Sequence, residues 1–335
     1  MKRILPVLLA AFAWNCSDSV ASLGPGAIRS QLGTLKLTAI DSAGATVTVV
    51  GMNENAIVTG KMVVNGSVEG FTWKSGQFTM LKPAGGFTPA AINDNGDLAG
   101  ASGGVPAIWM SGQASPAAMF RPDTTLGQIF IASMNTRGEV LFGAPGNTVW
   151  VWRSGVAKRV QWEIGNVCSP TGINNQGVVM GSRCTDLYHW WELADSPFGV
   201  TRVDSRKLAG QTCVPTSPGH GVVDNGVAVN DSNEALLSVH WTTPAGCEEF
   251  KEQLTAFDSR GLIASYVGGG ATSPKAMLHL QGDSLAVDQL LDSTTAIGWR
   301  VQSVKRLTNG GAMWASALRL SDGKGVPVLL TPSGK

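Results

Sequence analysis

The chain has 335 residues, 43% of them hydrophobic and only 15% charged, with a formal net charge of +1. That is apolar material enough for a core, and too little charge, in no run of one sign, for a nucleic-acid footprint or a polybasic membrane patch; neither partner is expected. The 42 glycines, without long Glu/Lys/Leu-rich periodic stretches, point to an all-β chain of short strands and tight turns.

Lys2-Arg3, the apolar run from Ile4 to Trp14 and the small polar residues up to Ala21 form the three parts of an export signal. Ser19-Val20-Ala21 puts small residues where a signal peptidase reads, so residues 1–21 are assigned to a signal peptide. Cys16 offers the alternative of lipoprotein acylation, although Trp14-Asn15 precede it where a small residue is wanted. The apolar run falls short of the roughly 20 residues that span a bilayer, so no transmembrane span is expected. The expectation is an exported bacterial protein, periplasmic, on the outer surface or secreted. Residues 22–43 form an N-terminal segment in which Leu35 to Ile40 can supply a ring-closing strand beside Pro327-Val328-Leu329-Leu330.

From residue 44 to 335 the chain repeats. In Ile92-Asn93-Asp94-Asn95-Gly96-Asp97-Leu98-Ala99-Gly100, the Asn93 side chain can accept from the backbone two residues on, and Gly96 takes the positive φ that closes a bulged hairpin. Copies lie at Asn53-Glu54-Asn55-Ala56, Asn135-Thr136-Arg137-Gly138 and Asn174-Asn175-Gln176-Gly177, at steps of 40, 42 and 39 residues. The next interval, to Asn230-Asp231-Ser232-Asn233, is long, and the one to Asp258-Ser259-Arg260-Gly261 is short; together they make two steps. A poor last copy is assigned to Asp292-Ser293-Thr294-Thr295.

A second signature follows each turn, an aromatic or apolar pair and then a turn ending in Gly. It reads Gly70-Phe71-Thr72-Trp73-Lys74-Ser75-Gly76 in the first unit, and returns at Ala107 to Gly112, Trp150 to Gly155, Ala276 to Gly282 and Ala317 to Gly323. These are second hairpins, with an apolar tail as fourth strand. Four strands and their connections come to about 40 residues, the size of a propeller blade. The predicted fold is therefore a β-propeller of about seven four-stranded blades, six being the alternative.

The two signatures resemble the HAF repeat family of extracellular repeats, written Ile-Asn-x-x-Gly, a few apolar residues and Gly, then His-Ala-Phe-x-Trp-x-x-Gly. The likeness runs from about Thr46 to Gly323; the family's His position holds Glu69, Pro106, Thr255, Lys275 and Ser316 here. The resemblance implies an exported propeller of a kind mostly without an assigned activity, and it carries no catalytic residues to transfer.

Cys168, Cys184, Cys213 and Cys247 remain after the signal, an even count that suggests two disulfides in an exported chain. Proximity favours Cys168 with Cys184, flanking the turn at Asn174, and Cys213 with Cys247. A zinc site would want ligand spacings that are absent, so no metal or other cofactor is expected. Asn93 to Asp97 looks like the start of a calcium loop, but no Glu closes it and the position of Asp97 holds Ile57, Glu139 or Val178 elsewhere, so it reads as an Asx turn.

Trp73, Trp109, Trp150, Trp152 and Trp191 are read as equivalent residues packed between blades. Trp190 beside Trp191 must send one ring off the blade core, where with Tyr188 and His189 it could contact a sugar or peptide. The stretch from 193 to 250 breaks the register and is read as an irregular insertion, carrying His220 and His240 as further binding candidates. No catalytic set is assigned: Gly-x-Ser-x-Gly, P-loop and His-Glu-x-x-His motifs are absent. The sequence thus favours a non-catalytic, monomeric exported propeller binding a protein or glycan. The alternatives are an extracellular hydrolase or lyase acting on carbohydrate or peptide, and a passive envelope or surface structural protein.

Overall fold

The computed structural model describes residues 26–83, 86–119, 129–162, 167–183, 191–198, 226–229, 235–237, 240–243, 246–249, 252–268 and 274–333. The short helix α1 (Ala27–Leu32) and strand β1 (Thr34–Ala39) come first. Blade 1 is β2 (Thr46–Met52), β3 (Val58–Val64), β4 (Ser67–Lys74) and β5 (Gln77–Leu81). Blade 2 is β6 (Phe87–Ile92), β7 (Leu98–Ser102), β8 (Val105–Trp109) and β9 (Ala117–Ala118), and blade 3 is β10 (Phe130–Met134), β11 (Val140–Ala144), β12 (Thr148–Arg153) and β13 (Val156–Arg159). Blade 4 has three described strands, β14 (Val167–Ile173), β15 (Val178–Arg183) and β16 (Trp191–Asp195). Blade 5 is β17 (Gly226–Val229), β18 (Ala235–Leu237), β19 (His240–Thr243) and β20 (Gly246–Glu249), and blade 6 is β21 (Gln253–Phe257), β22 (Ile263–Val267), β23 (Lys275–Leu280) and β24 (Asp283–Ala286). Blade 7 is β25 (Trp299–Leu307), β26 (Met313–Arg319) and β27 (Lys324–Ser333), completed by β1.

All seven sheets are antiparallel, the first strands of blades 1 to 7 lie side by side in order around a central channel, and blade 7 meets blade 1 through β27 and β2. The seven-bladed expectation holds, and so does the closing strand: β1 pairs with β27 from Thr34 opposite Ser333 to Ala39 opposite Val328. No helix among the described residues is long and apolar enough to cross a membrane.

The turns form for the reasons their residues supply. Gly96, Gly138, Gly177, Gly261 and Gly311 take φ of 73° to 88° at the end of each Asx turn, and in blade 1 Ala56 is forced to +53°. Gly100 answers a different demand. A Cβ there would stand 2.2 Å from the Thr88 carbonyl oxygen on the paired strand, and at Gly60 equally close to that of Thr48.

The core is a series of interfaces between neighbouring blades, the way repeat units bury apolar faces they cannot cover alone. Leu81 of blade 1 packs with Phe87 and Leu98 of blade 2; Ala91 and Met119 of blade 2 with Phe142 and Trp152 of blade 3; Leu329 of blade 7 with Met52 and Phe71 of blade 1.

Three expectations need correction. The last turn copy is Thr308-Asn309-Gly310-Gly311, where Gly311 N–H donates to the Thr308 carbonyl. Asp292 to Thr295 is instead the link ahead of β25, capped by Asp292 Oδ1. The frame slipped because β1 supplies the fourth strand of this blade, so the Ala317 to Gly323 turn joins the second and third strands. Next, only Trp73, Trp109 and Trp152 are equivalent, opposite Val58, Leu98 and Val140; Trp150 lies two residues earlier, and Trp191 opens β16 opposite Ser182. Finally, the 193–250 stretch contains the regular sheet of blade 5, which confines the irregular part to residues before Gly226.

In blade 6 the tryptophan position holds His279, opposite Ile263. Its ring meets Ser265 Oγ at 2.7 Å and Ser284 Oγ at 3.2 Å, and burial lowers its pKa below the usual value despite Glu252 nearby. The unfolded chain then takes up this proton first, so the contribution is whole above the ordinary histidine pKa of about 6.5 and is lost as pH falls through it toward the folded value. The melting temperature should drop from about pH 7.5 to about pH 5.5, and His279→Gln should flatten that drop; an unchanged pH profile in the variant would contradict it.

Candidate collar and channel site

The Asx turns of blades 1 to 3 do two jobs. Asn93 Oδ1 accepts from Asn95 N–H at 3.1 Å and Asp97 N–H at 2.9 Å, while its Nδ2 donates to the Asn135 carbonyl of the next blade at 3.0 Å. Asn53 Nδ2 donates to the Asn93 carbonyl and Asn135 Nδ2 to that of Asn174 in the same way, both at 3.0 Å. Among the described residues these bonds stitch the turns of blades 1 to 4 into one side of a collar at one mouth of the channel. The Asp97 carboxylate is turned into the blade, accepting from Asn93 Nδ2 at 3.0 Å and Ser111 N–H at 2.8 Å. Glu139, fully buried in the third copy, is held by Asn135 Nδ2, Arg137 and Ser196. These carboxylates brace turns, as the Asx-turn reading requires.

The residue after each capping residue adds a second row of stitches. Glu54 N–H donates to Asp94 Oδ1 at 2.9 Å, Thr136 N–H to Asn175 Oδ1 at 2.8 Å, and Ser259 N–H to Asn309 Oδ1 at 2.9 Å. Asn309 N–H donates to Glu54 Oε2 at 2.7 Å, joining blade 7 to blade 1. Blades 6 and 7 cap with Asp258 and Thr308, which keep the turn-closing acceptor but have no amide to pass to the next blade.

Inside the collar lies a cavity of about 360 Å³. Part of its wall is set by a shared irregularity: in six of the blades the innermost strand carries a register shift just before the turn, leaving Val50, Ala90, Ala132, Thr171, Thr255 and Lys305 as extra residues. All six line the cavity. Bulges of this kind re-aim side chains. Five of the six are short and uncharged; Lys305 alone brings charge. Glu54, Asp94, Asp258 and Arg306 also face the cavity. Burial pushes the Glu54 carboxyl above the usual range, with Asp94 and Asp258 adding to the rise, while the Asn309 N–H and Arg306 oppose it.

The described residues among those singled out for binding or disulfides, Trp191, His240, Cys168 and Cys247, do not line this cavity. His189, Trp190, His220, Cys184 and Cys213 lie outside the described residues, as does the signal with Cys16. Trp191 and His240 open the third strands of blades 4 and 5, at the blade ends remote from the collar, because those strands run toward it. Cys168 lies in β14 and Cys247 in β20, opposite Thr242. Glu54, Asp94, Asn175, Lys305, Arg306 and Asn309 were missed. The signal available for four of them was the polar residue after each capping residue.

The meanders, the axial channel and the strand shared by the two chain ends define the class as a seven-bladed β-propeller. No family model matches the chain, so the HAF likeness rests on its turn and strand residues, and no curated protein matches it in sequence. Among solved structures it is similar to the streptogramin B lyase structure, with a TM-score of 0.50 and 10% identity over 90% of this chain and 99% of that one. A chain of the mitotic checkpoint complex gives 0.49 at 12% identity, covering 99% of each, and YCF48 from Cyanidioschyzon merolae 0.49 at 9%, covering 89% and 99%. At these identities the likeness is one of fold alone.

Proposed function

We propose that the chain is an exported, non-catalytic binding propeller of HAF-repeat type, which takes a protein or glycan ligand at the collar face. The observation that carries this reading is the collar: two rows of inter-blade hydrogen bonds hold a polar cavity open at one end of a rigid ring. Pre-formed concave sites with a few fixed polar groups are where small ligands and chain ends bind. Contacts at Trp191, which opens its strand at the end remote from the collar, would form a separate surface.

Export would oxidise Cys168 with Cys184 and Cys213 with Cys247, each bridge adding about 2 to 4 kcal/mol.

A glycan and peptide array probed with the mature chain tests the reading. Retention of one chemical class, weakened when Asn175 or Asn309 is replaced by Ala, is the expected result. Release of a cleaved product would establish the hydrolase or lyase alternative, and an empty array would favour the passive structural one.

A further inference from the structure

We propose that the collar cavity recognises a small zwitterion: a ligand with an ammonium group and a carboxylate a few bonds apart, as in a dipeptide or free amino acid. This rests on the collar-face reading above and specifies the chemistry of that site.

Glu54, Asp94, Asp258, Lys305 and Arg306 are the charged residues that face the cavity among those described. Asp258 is neutralised by Arg260, whose Nε donates to Asp258 Oδ2 at 2.7 Å, and its other oxygen closes the blade 6 turn. Glu54 accepts the Asn309 N–H at 2.7 Å and stands 3.7 Å from the Arg306 guanidinium. Two charges remain. Asp94, on blade 2, accepts the Glu54 N–H on Oδ1, and among the described residues its Oδ2 has a long 3.4 Å contact from Asn175 Nδ2 alone. Lys305, on blade 7, forms no ion pair among the described residues. Both line the same cavity, with blade 1 between them.

That arrangement selects against ligands of a single sign. An anion drawn to Lys305 enters beside Glu54 and Asp94, and a cation drawn to Asp94 enters beside Lys305 and Arg306. A ligand carrying both charges satisfies each pole, and the partly enclosed setting strengthens both attractions over their values in open water. The short bulge residues Val50, Ala90 and Ala132 leave room between the poles. A volume of about 360 Å³ suits a ligand of this size, at the small end of the 300 to 1,000 Å³ typical of ligand pockets.

The test is calorimetric titration of the full chain at low ionic strength with three probes: glycylglycine, its N-acetyl derivative and its C-terminal amide. Glycylglycine should bind, and each capped probe should bind at least tenfold more weakly. Asp94→Asn should lower glycylglycine affinity about tenfold and no longer distinguish it from the acetylated probe. Lys305→Met should do the same for the amide. Both sites are solvent-facing, and unchanged melting of the variants verifies folding; the three probes on the unaltered protein need no variant. Equal affinities for all three probes, no binding of glycylglycine, or discrimination that survives both substitutions would overturn the proposal. An array partner held at the collar by a chain that ignores glycylglycine would overturn this inference alone and leave the binding reading standing.

Discussion

A chain shortened to begin at Asp41 should lose its cooperative thermal transition. β1 contributes a full strand to blade 7, six residues paired with β27, and with α1 it inserts Ile28, Leu32, Leu35 and Leu37 among Val301, Met313, Val328 and Leu330. Leu35 is fully buried and also bridges to Leu291 ahead of the blade's first strand. Replacing a buried leucine by Ala costs about 2 to 5 kcal/mol, and a whole domain's margin is about 5 to 15. Leu35→Ala with Leu37→Ala therefore removes most of the margin, and the shortened chain also bares the edge of β27 to intermolecular pairing. Differential scanning fluorimetry with size-exclusion chromatography should find a broad, low-temperature transition and aggregation. A sharp transition at the original temperature would show that the ring does not depend on this closure.

Asn93→Ala should be the most damaging single change in the collar. With only 3% of its surface exposed, Asn93 makes four hydrogen bonds, two as turn acceptor and two as donor to Asp97 and to the next blade. Truncation strands two N–H groups, a carbonyl and a carboxylate oxygen, and each buried unsatisfied group costs about 1 to 3 kcal/mol; partial hydration leaves an expected loss of about 3 to 5 kcal/mol. Asn93→Asp keeps the acceptor but sets a second carboxylate against Asp97, so it should rescue only part. Denaturant titration measures both, and equal stability of Asn93→Ala and the unaltered protein would refute the collar's role.

The turns were legible because their cause is local: an Asx acceptor and a residue at positive φ lie within four residues of each other. Their step gave the blade size, and apolar Leu35 to Ile40 beside Pro327 to Leu330 gave the closure. The seventh turn was not legible as Thr308 to Gly311, because a threonine cap lacks the Asn or Asp side chain that marks the other copies and because β1 shifts the strand count of that blade. Trp191 misled because an aromatic residue in the third strand does not fix its register; that depends on pairing with Ser182. The cavity was hidden for a deeper reason. Part of its wall is made by single bulged residues from separate blades, and Val50, Ala90 and Lys305 are linked by a register shift that exists only in the paired sheet.

The account holds that the blades are a frame and that recognition happens inside the collar. Hydrogen–deuterium exchange on the complex with an array partner tests this most directly. Protection is predicted at the segments around 50–54, 90–94, 171–175 and 305–309, with the far hairpins at 64–67 and 103–104 unchanged; protection confined to those hairpins or to the outer strands would contradict it.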